Sequence, residues 1–419
     1  MQSVPPPTPK NPSRNPGTPW STSALLFASV LICYVDRSNL SVATPLLKDE
    51  LGLSAPRLGT LLSAFFWTYA SFQLVSGWLV DRYNVNWVLA AGFLVWSAAT
   101  AATGLVGGFG ALLWLRLLVG IGESVAYPAY SRIFATYYTE NQRGVANALI
   151  DVGSKCGPAL GTLAGGYYMA RYGWRPFFFI LGLGALPWLP CWIRWMPRGR
   201  AAAGNAPGAG PGIGEILGKR AAWATFAGLF CGNYYWYFLL TWLPYYLVRE
   251  RHFSMEKMGF MGALPFLCTA AATTIAAWLS YRAIAAGVST TRVRKACAGA
   301  GLGFAAVIVA VPAVADARSA MVILMIACFS YGVYSSSPWA IMQTLSGPLA
   351  AGRWSGLQNF AGNLSGVAAP VLTGYVVERT GHFFWAFALA AAVALTGAMV
   401  YLFVLGDVEP ARWRHQASA

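Results

Sequence analysis

Charge is what this chain has least of. Charged residues make up 10% of its 419, with 14 acids against 29 Lys and Arg. Soluble domains run at about 25% charged. Water is therefore not the solvent for most of the surface, which excludes a soluble α/β enzyme. Histidine is nearly missing: the three present lie in loops, at the edge of an apolar run or in the tail, and make no metal site. The seven cysteines (Cys33, Cys156, Cys191, Cys231, Cys268, Cys297 and Cys328) stand singly within apolar runs. No CxxC spacing joins them, so neither zinc ligation nor a disulfide framework is expected. No Asp-, His- or Ser-rich motif marks the edge of an apolar run, which argues against a membrane-embedded enzyme. No fused soluble domain is legible to relay a signal, which argues against a sensor. Residues 1–19 are Pro-rich and polar without an apolar centre, and are expected to form a disordered tail rather than a signal peptide.

What is there is hydrophobic sequence, 57% of the whole. Apolar stretches of about 20 residues, each long enough to cross the roughly 30 Å of bilayer hydrocarbon as a helix, recur along the chain. Twelve are counted, near 20–46, 56–80, 86–106, 109–136, 144–170, 174–196, 221–247, 257–281, 294–314, 319–343, 354–377 and 383–405. An even number places both termini on one side. Of the 29 Lys and Arg, 17 fall on the side of the termini, 9 on the other, and three within spans. The positive-inside rule then makes both termini cytoplasmic and explains the net charge of +15 without nucleic acid. A multi-pass protein of a cell membrane, the inner membrane if bacterial, is expected.

Between Pro197 and Lys219 the apolar rhythm gives way to Gly, Ala, Pro and basic residues. The expected organisation is a six-helix bundle over 20–197, a cytoplasmic linker over 198–220, a second six-helix bundle over 221–406, and a cytoplasmic tail over 407–419. The halves repeat. An offset of 208 aligns Gly166, Tyr167, Arg171 and Gly173 with Gly374, Tyr375, Arg379 and Gly381. An offset of 200 aligns Trp78-Leu79 with Trp278-Leu279 and Arg82 with Arg282.

Gly77-Trp78-Leu79-Val80-Asp81-Arg82, after the second span, resembles the loop signature of the major facilitator superfamily, and Gly153 to Gly161 resembles its glycine–proline motif. A narrower likeness is carried by Tyr34-Val35-Asp36-Arg37-Ser38-Asn39-Leu40-Ser41, Arg116 with Glu123, Gly173-Trp174-Arg175, and Asn359-Phe360-Ala361-Gly362-Asn363. These are similar to the anion:cation symporter family of sugar-acid permeases and sialin-type organic anion transporters. The resemblance implies an all-α integral membrane fold of twelve transmembrane helices in two pseudo-symmetric six-helix bundles, the major facilitator fold. It also implies a substrate bound between the repeats and alternating access by rocking of one against the other. Two departures stand out. Asn84, Val85 and Asn86 replace the Gly and basic residues usual in the loop motif, and Tyr281 stands at the repeat position of Asp81.

Six ionisable residues fall within spans, all in the first half: Asp36, Arg37, Arg116, Glu123, Asp151 and Lys155. Each costs at least about 2.5–3.5 kcal/mol near the bilayer centre on insertion scales. Counting about 1.5 Å per residue from the helix ends sets Arg116 level with Asp36, and Glu123 nearer the midplane beside Lys155. Protonating an acid of this set leaves a net positive charge that a carboxylate can balance, and the planar fork of Arg37 suits such a ligand. The resemblance implies Asp36 and Glu123 as proton-coupling acids, Arg37 as substrate anchor and Arg116 as an acid's partner. Tyr34, three residues from Arg37, shares its face and joins the expected cavity, as does Ser154. Asp151 and Lys155, at i and i+4, admit two readings: an internal brace, or a second cation selecting dianions. Asn359 and Asn363, repeat mates of that pair, either hydrogen-bond substrate or glue helices together. Asp81, Arg82 and Arg143 are the expected gating-loop residues.

The function expected is secondary active transport by a monomer, most simply proton-coupled symport of an organic anion such as a sugar acid, with protons as coupling ion and no other cofactor. Proton-driven antiport or export of another small solute is the alternative.

Overall fold

The computed structural model describes residues 20–138, 140–197 and 211–413; the tail expected at 1–19, linker residues 198–210 and the last residues 414–419 lie outside the described residues. The described chain is helical, without strands. The first half runs α1 (Trp20–Leu51), α2 (Ala55–Arg82), α3 (Val85–Thr103), α4 (Phe109–Tyr137), α5 (Glu140–Tyr172) and α6 (Trp174–Trp195). The second runs α7 (Arg220–Arg249), α8 (Met255–Ala285), α9 (Thr290–Ala310), α10 (Ala317–Gly347), α11 (Leu349–Thr380) and α12 (Phe384–Val404).

Ten of these are long and apolar enough to cross a membrane by length and composition. The two that fall short are α5 and α7. α5 carries Asp151 and Lys155 near its middle, and α7 is crowded with Tyr and Trp, which rank low in hydropathy although most of them are buried. From Pro338 the second part of α10 continues into α11 as one helical run broken only at Gly347, whose φ of 58° lies in the left-handed region. Residues 211–219 hold a short helix, Ile213–Leu217, with Ile216 fully buried, and α7 begins at Arg220. At the other end, Val408 and Trp413 are buried, and the Ala411 amide donates to the Leu345 carbonyl at 2.8 Å.

The halves meet along α1–α7, α2–α11 and α5–α8, pairings that the repeat exchanges among themselves. The register agrees to the residue. A Cβ added to Gly59 on α2 would sit 2.5 Å from the Pro370 carbonyl oxygen on α11. The offset mates of these two, Gly259 on α8 and Thr162 on α5, also abut: a Cβ on Gly259 would be 3.1 Å from the Thr162 carbonyl oxygen. Small residues let helix backbones approach where no water is present to drive burial.

Polar contacts between the halves gather at the face of the α1–α2 and α7–α8 loops. Asp49 pairs with Arg249, Arg171 with Glu256 at 3.3 Å, and Lys48 donates to the Tyr245 hydroxyl at 2.8 Å. The Ala55 amide donates to Glu378 Oε2 at 3.3 Å. Between α5 and α8 lies a cavity of about 330 Å³ lined by Asp151, Lys155, Ala271 and Thr274 among others.

Candidate functional site

The site grows out of two faces of α1. Val30, Tyr34 and Ser38 meet Gly153, Gly157 and Gly161 of α5, and a Cβ on Gly157 would lie 2.5 Å from that of Tyr34. This close seam leaves Cys33 and Arg37, one turn apart, to meet α4. Arg37 Nε donates to Glu123 Oε2 at 2.7 Å, with side-chain exposures of 4% and 0%. The Cys33 thiol donates to the same oxygen at 3.0 Å. Three rings surround the guanidinium, at 4.6 Å from Tyr34, 5.0 Å from Phe65 and 4.4 Å from Tyr69. In a dry site each such contact contributes up to about 2 kcal/mol, so the cation is held by ring faces as well as by its acid.

Asp36, Arg37, Arg116 and Glu123 are all buried. Asp36 Oδ1 accepts from Asn39 at 3.3 Å, and the Arg116 guanidinium lies 5.5 Å from the Phe65 ring. Each of the four keeps a buried polar atom with no hydrogen-bond partner among the described residues: Asp36 Oδ2, Arg37 Nη2, Arg116 Nε and Glu123 Oε1. An unsatisfied buried group costs about 1–3 kcal/mol, and more when charged. Four in one cluster are poor architecture and suit a site that exchanges protons and ligand.

The pairing differs from the straight-helix depth estimate. Glu123, set nearer the midplane, is the partner of Arg37. Arg116 enters no ion pair among the described residues. α4 is irregular directly after Glu123, at Ser124 and Val125, where the proline at 128 withholds a backbone donor.

Asp151 and Lys155 do not belong to the buried set. They form an i, i+4 ion pair of 2.9 Å with Asp151 57% exposed, on the wall of the α5–α8 cavity. Ser154 is buried and returns its hydroxyl to the Asp151 carbonyl at 2.7 Å. Their repeat mates lie on a polar chain between the halves. Tyr237 donates to Asn363 Oδ1 at 2.8 Å, Asn363 Nδ2 to the Asn359 carbonyl at 2.8 Å, and Asn359 Nδ2 to Gln73 Oε1 at 2.8 Å. Tyr34 joins its hydroxyl to that of Tyr127 at 3.0 Å.

The gating-loop residues divide. Asp81 faces Arg132 at 3.8 Å, and Arg82 is exposed. Arg143 caps the end of α4, donating to the carbonyls of Phe134, Ala135 and Tyr138, where a cation also suits the helix dipole. The departures from the loop motif have work of their own. Asn84 caps α3 through the Asn86 amide, and Asn86 ties α3 to the Pro197 carbonyl at 2.8 Å. Trp174 and Arg175 both clamp Glu50, fastening α1 to α6.

Residue reading missed Cys33, Tyr69, Gln73 and Tyr237. Gln73, a lone amide in an apolar span one turn beyond Tyr69, carried a usable signal. Cys33 carried none, being one of seven apolar-looking cysteines.

Known proteins agree with this architecture. A probable galactarate/D-glucarate transporter of Bacillus subtilis is 28% identical over 93% of this chain and 92% of its own. A D-galactonate transporter of Escherichia coli is 29% identical over 93% and 96%. A probable sulfoacetate transporter of Cupriavidus necator is 30% identical over 89% and 90%. A crystallised bacterial homologue of the human lysosomal transporter Spinster shares the fold, with a TM-score of 0.74 at 18% identity over 93% of this chain and 96% of its own. Residues 26–370 match the Major Facilitator Superfamily, and with two repeated six-helix halves enclosing a buried charge cluster the chain belongs to that family, as a membrane transporter and not an enzyme.

Proposed function

We propose that the protein is a proton-coupled symporter of an organic anion, a sugar acid or other small carboxylate, working by alternating access. The observation that carries this reading is the buried Arg37–Glu123 pair, in which Arg37 Nη2 and Glu123 Oε1 both lack a partner among the described residues. Protonation of Glu123 at its free oxygen weakens its hold on Arg37. The guanidinium is then electrically unbalanced in a low-dielectric site, and a substrate carboxylate restores neutrality through its fork. Asp36 is the second coupling acid, and Arg116, whose Nε has no hydrogen-bond partner among the described residues, receives a second anionic group in this reading. Asn359 and Asn363 supply hydrogen bonds from the other half, so closure around substrate draws on both repeats. Asp81, Arg82 and Arg143 belong to the face that opens and closes on the side of the termini. That side is cytoplasmic in this reading, and the carrier works as a monomer.

The relatives support the substrate class, since the solutes in their names are galactarate, glucarate, galactonate and sulfoacetate, all organic anions. The test is uptake by purified protein in liposomes against a panel of these acids. A pH gradient, acidic outside, is expected to drive accumulation that a protonophore collapses. Accumulation driven by sodium alone, or efflux of an unrelated solute against protons, would defeat the proposal in favour of sodium symport or antiport.

A further inference from the structure

Among the described residues Glu123 Oε2 takes two donors while Oε1 takes none: Arg37 Nε stands 2.7 Å away and the Cys33 thiol 3.0 Å away. Both donors come from α1 with a spacing of four, so they reach α4 from one face. Cys33 is fully buried, and no other hydrogen bond of its thiol competes with this one among the described residues. We propose that Cys33 is a positioning residue for Glu123. Its thiol keeps Oε2 anchored to α1 when Arg37 turns to substrate, and so leaves Oε1 as the oxygen that takes and returns the proton.

The need for a second donor follows from the work Arg37 is given. A single ion pair would release Glu123 altogether each time the guanidinium engaged a carboxylate. The freed side chain would then lose its fixed relation to the proton path. A thiol is a weak donor and carries no charge. It holds the oxygen without competing with the substrate for Arg37, and without pinning the acid permanently in its ionised form. The charged and titratable groups around Glu123 are Cys33, Tyr34, Asp36 and Arg37 of α1, Tyr69 of α2, and Arg116, Tyr127 and Tyr130 of α4 itself. α3 approaches through Gly92 and Trp96, neither of which titrates. Of these neighbours, Cys33 alone is a neutral donor bonded to the carboxylate.

This inference rests on the reading of Glu123 as a coupling acid, and its test separates the two. In lipid-reconstituted protein, the S–H stretch of Cys33 is isolated as the infrared band lost in Cys33→Ser. A thiol donating to a carboxylate absorbs at lowered frequency, and Glu123→Gln is expected to move the band upward. A band that Glu123→Gln leaves in place overturns the proposal. Function is read in the same liposomes with D-galactonate and D-glucarate. Cys33→Ala is expected to lower proton-driven uptake roughly three- to tenfold while counterflow exchange stays within about twofold, and Cys33→Ser to restore uptake. Equal losses in uptake and exchange, or no rescue by serine, overturn the positioning role. Should Cys33→Ala not fold, Cys33→Val fills the site without a donor and takes its place. If wild-type uptake ignores the pH gradient while the S–H band still answers to Glu123, the coupling reading fails and the Cys33–Glu123 contact stands without it.

Discussion

Asp49 and Arg249, 200 residues apart, pair with each other across the junction of the two halves. The same offset superposes α2 on α8, so repeat-equivalent positions carry opposite charges and meet where α1 and α7 end. Arg249 also donates to the Pro45 carbonyl at 3.1 Å. With the Arg171–Glu256 pair, this contact clamps the loop face.

Both partners are partly in water, at 64% and 35% side-chain exposure, so the clamp is weak: about 0–1 kcal/mol. Asp49→Arg is therefore expected to slow uptake by roughly two- to fivefold rather than abolish it. The swapped double variant, Asp49→Arg with Arg249→Asp, should recover most of the loss. A double-mutant cycle on initial uptake rates measures this, and an additive result counts against a working clamp.

Glycines set how tightly that face closes. A side chain at Gly166 would meet the Gly259 Cα at 2.5 Å and the Met255 carbonyl at 2.8 Å, both backbone. Gly166→Leu should wedge α5 from α8 and favour opening at the loop face. Transport is expected to fall at least about tenfold while the folded protein survives purification. Labelling of a cysteine introduced at Asp49 should rise in the wedged variant.

The buried acids carry the sharpest expectation. Glu123→Gln and Asp36→Asn should each reduce gradient-driven uptake to about the level of empty liposomes, while counterflow, which needs no net proton movement, persists. Arg37→Ala is expected to lose both, because it removes the ligand fork and leaves Glu123 as an unpaired buried charge, a cost of about 3–5 kcal/mol. Full concentrative uptake by both acid variants would remove the case for proton coupling.

Lys155 faces a cavity already shared with Asp151. In Lys155→Ala the aspartate charge is uncovered, which repels a dianion more than a monoanion. Uptake of a dicarboxylate is expected to drop roughly tenfold while a monocarboxylate changes less than about twofold. Indifference to both would return the pair to the role of a brace on α5.

The count of crossings, the duplication and the family were all legible in the sequence. Each depends on apolar length, composition and short motifs, which one-dimensional order preserves. The offsets of 208 and 200 also relate the Gly59–Pro370 contact to the Gly259–Thr162 contact, because a repeat keeps its register. Four of the six intramembrane charges were also correctly read as buried. Asp151 and Lys155 are not buried, since the face of α5 that carries them lines a cavity beside α8, which a one-dimensional pattern does not reveal. Only the tertiary structure decided that Arg37 takes Glu123 as its partner, with Arg116 left aside. That choice depends on the glycine seam that seats α1 on α5 and on the irregular turn after Glu123, neither of which a straight-helix count contains. The same holds for Cys33: a thiol acquires chemical meaning from the oxygen 3.0 Å away, and that oxygen belongs to a residue 90 positions along the chain.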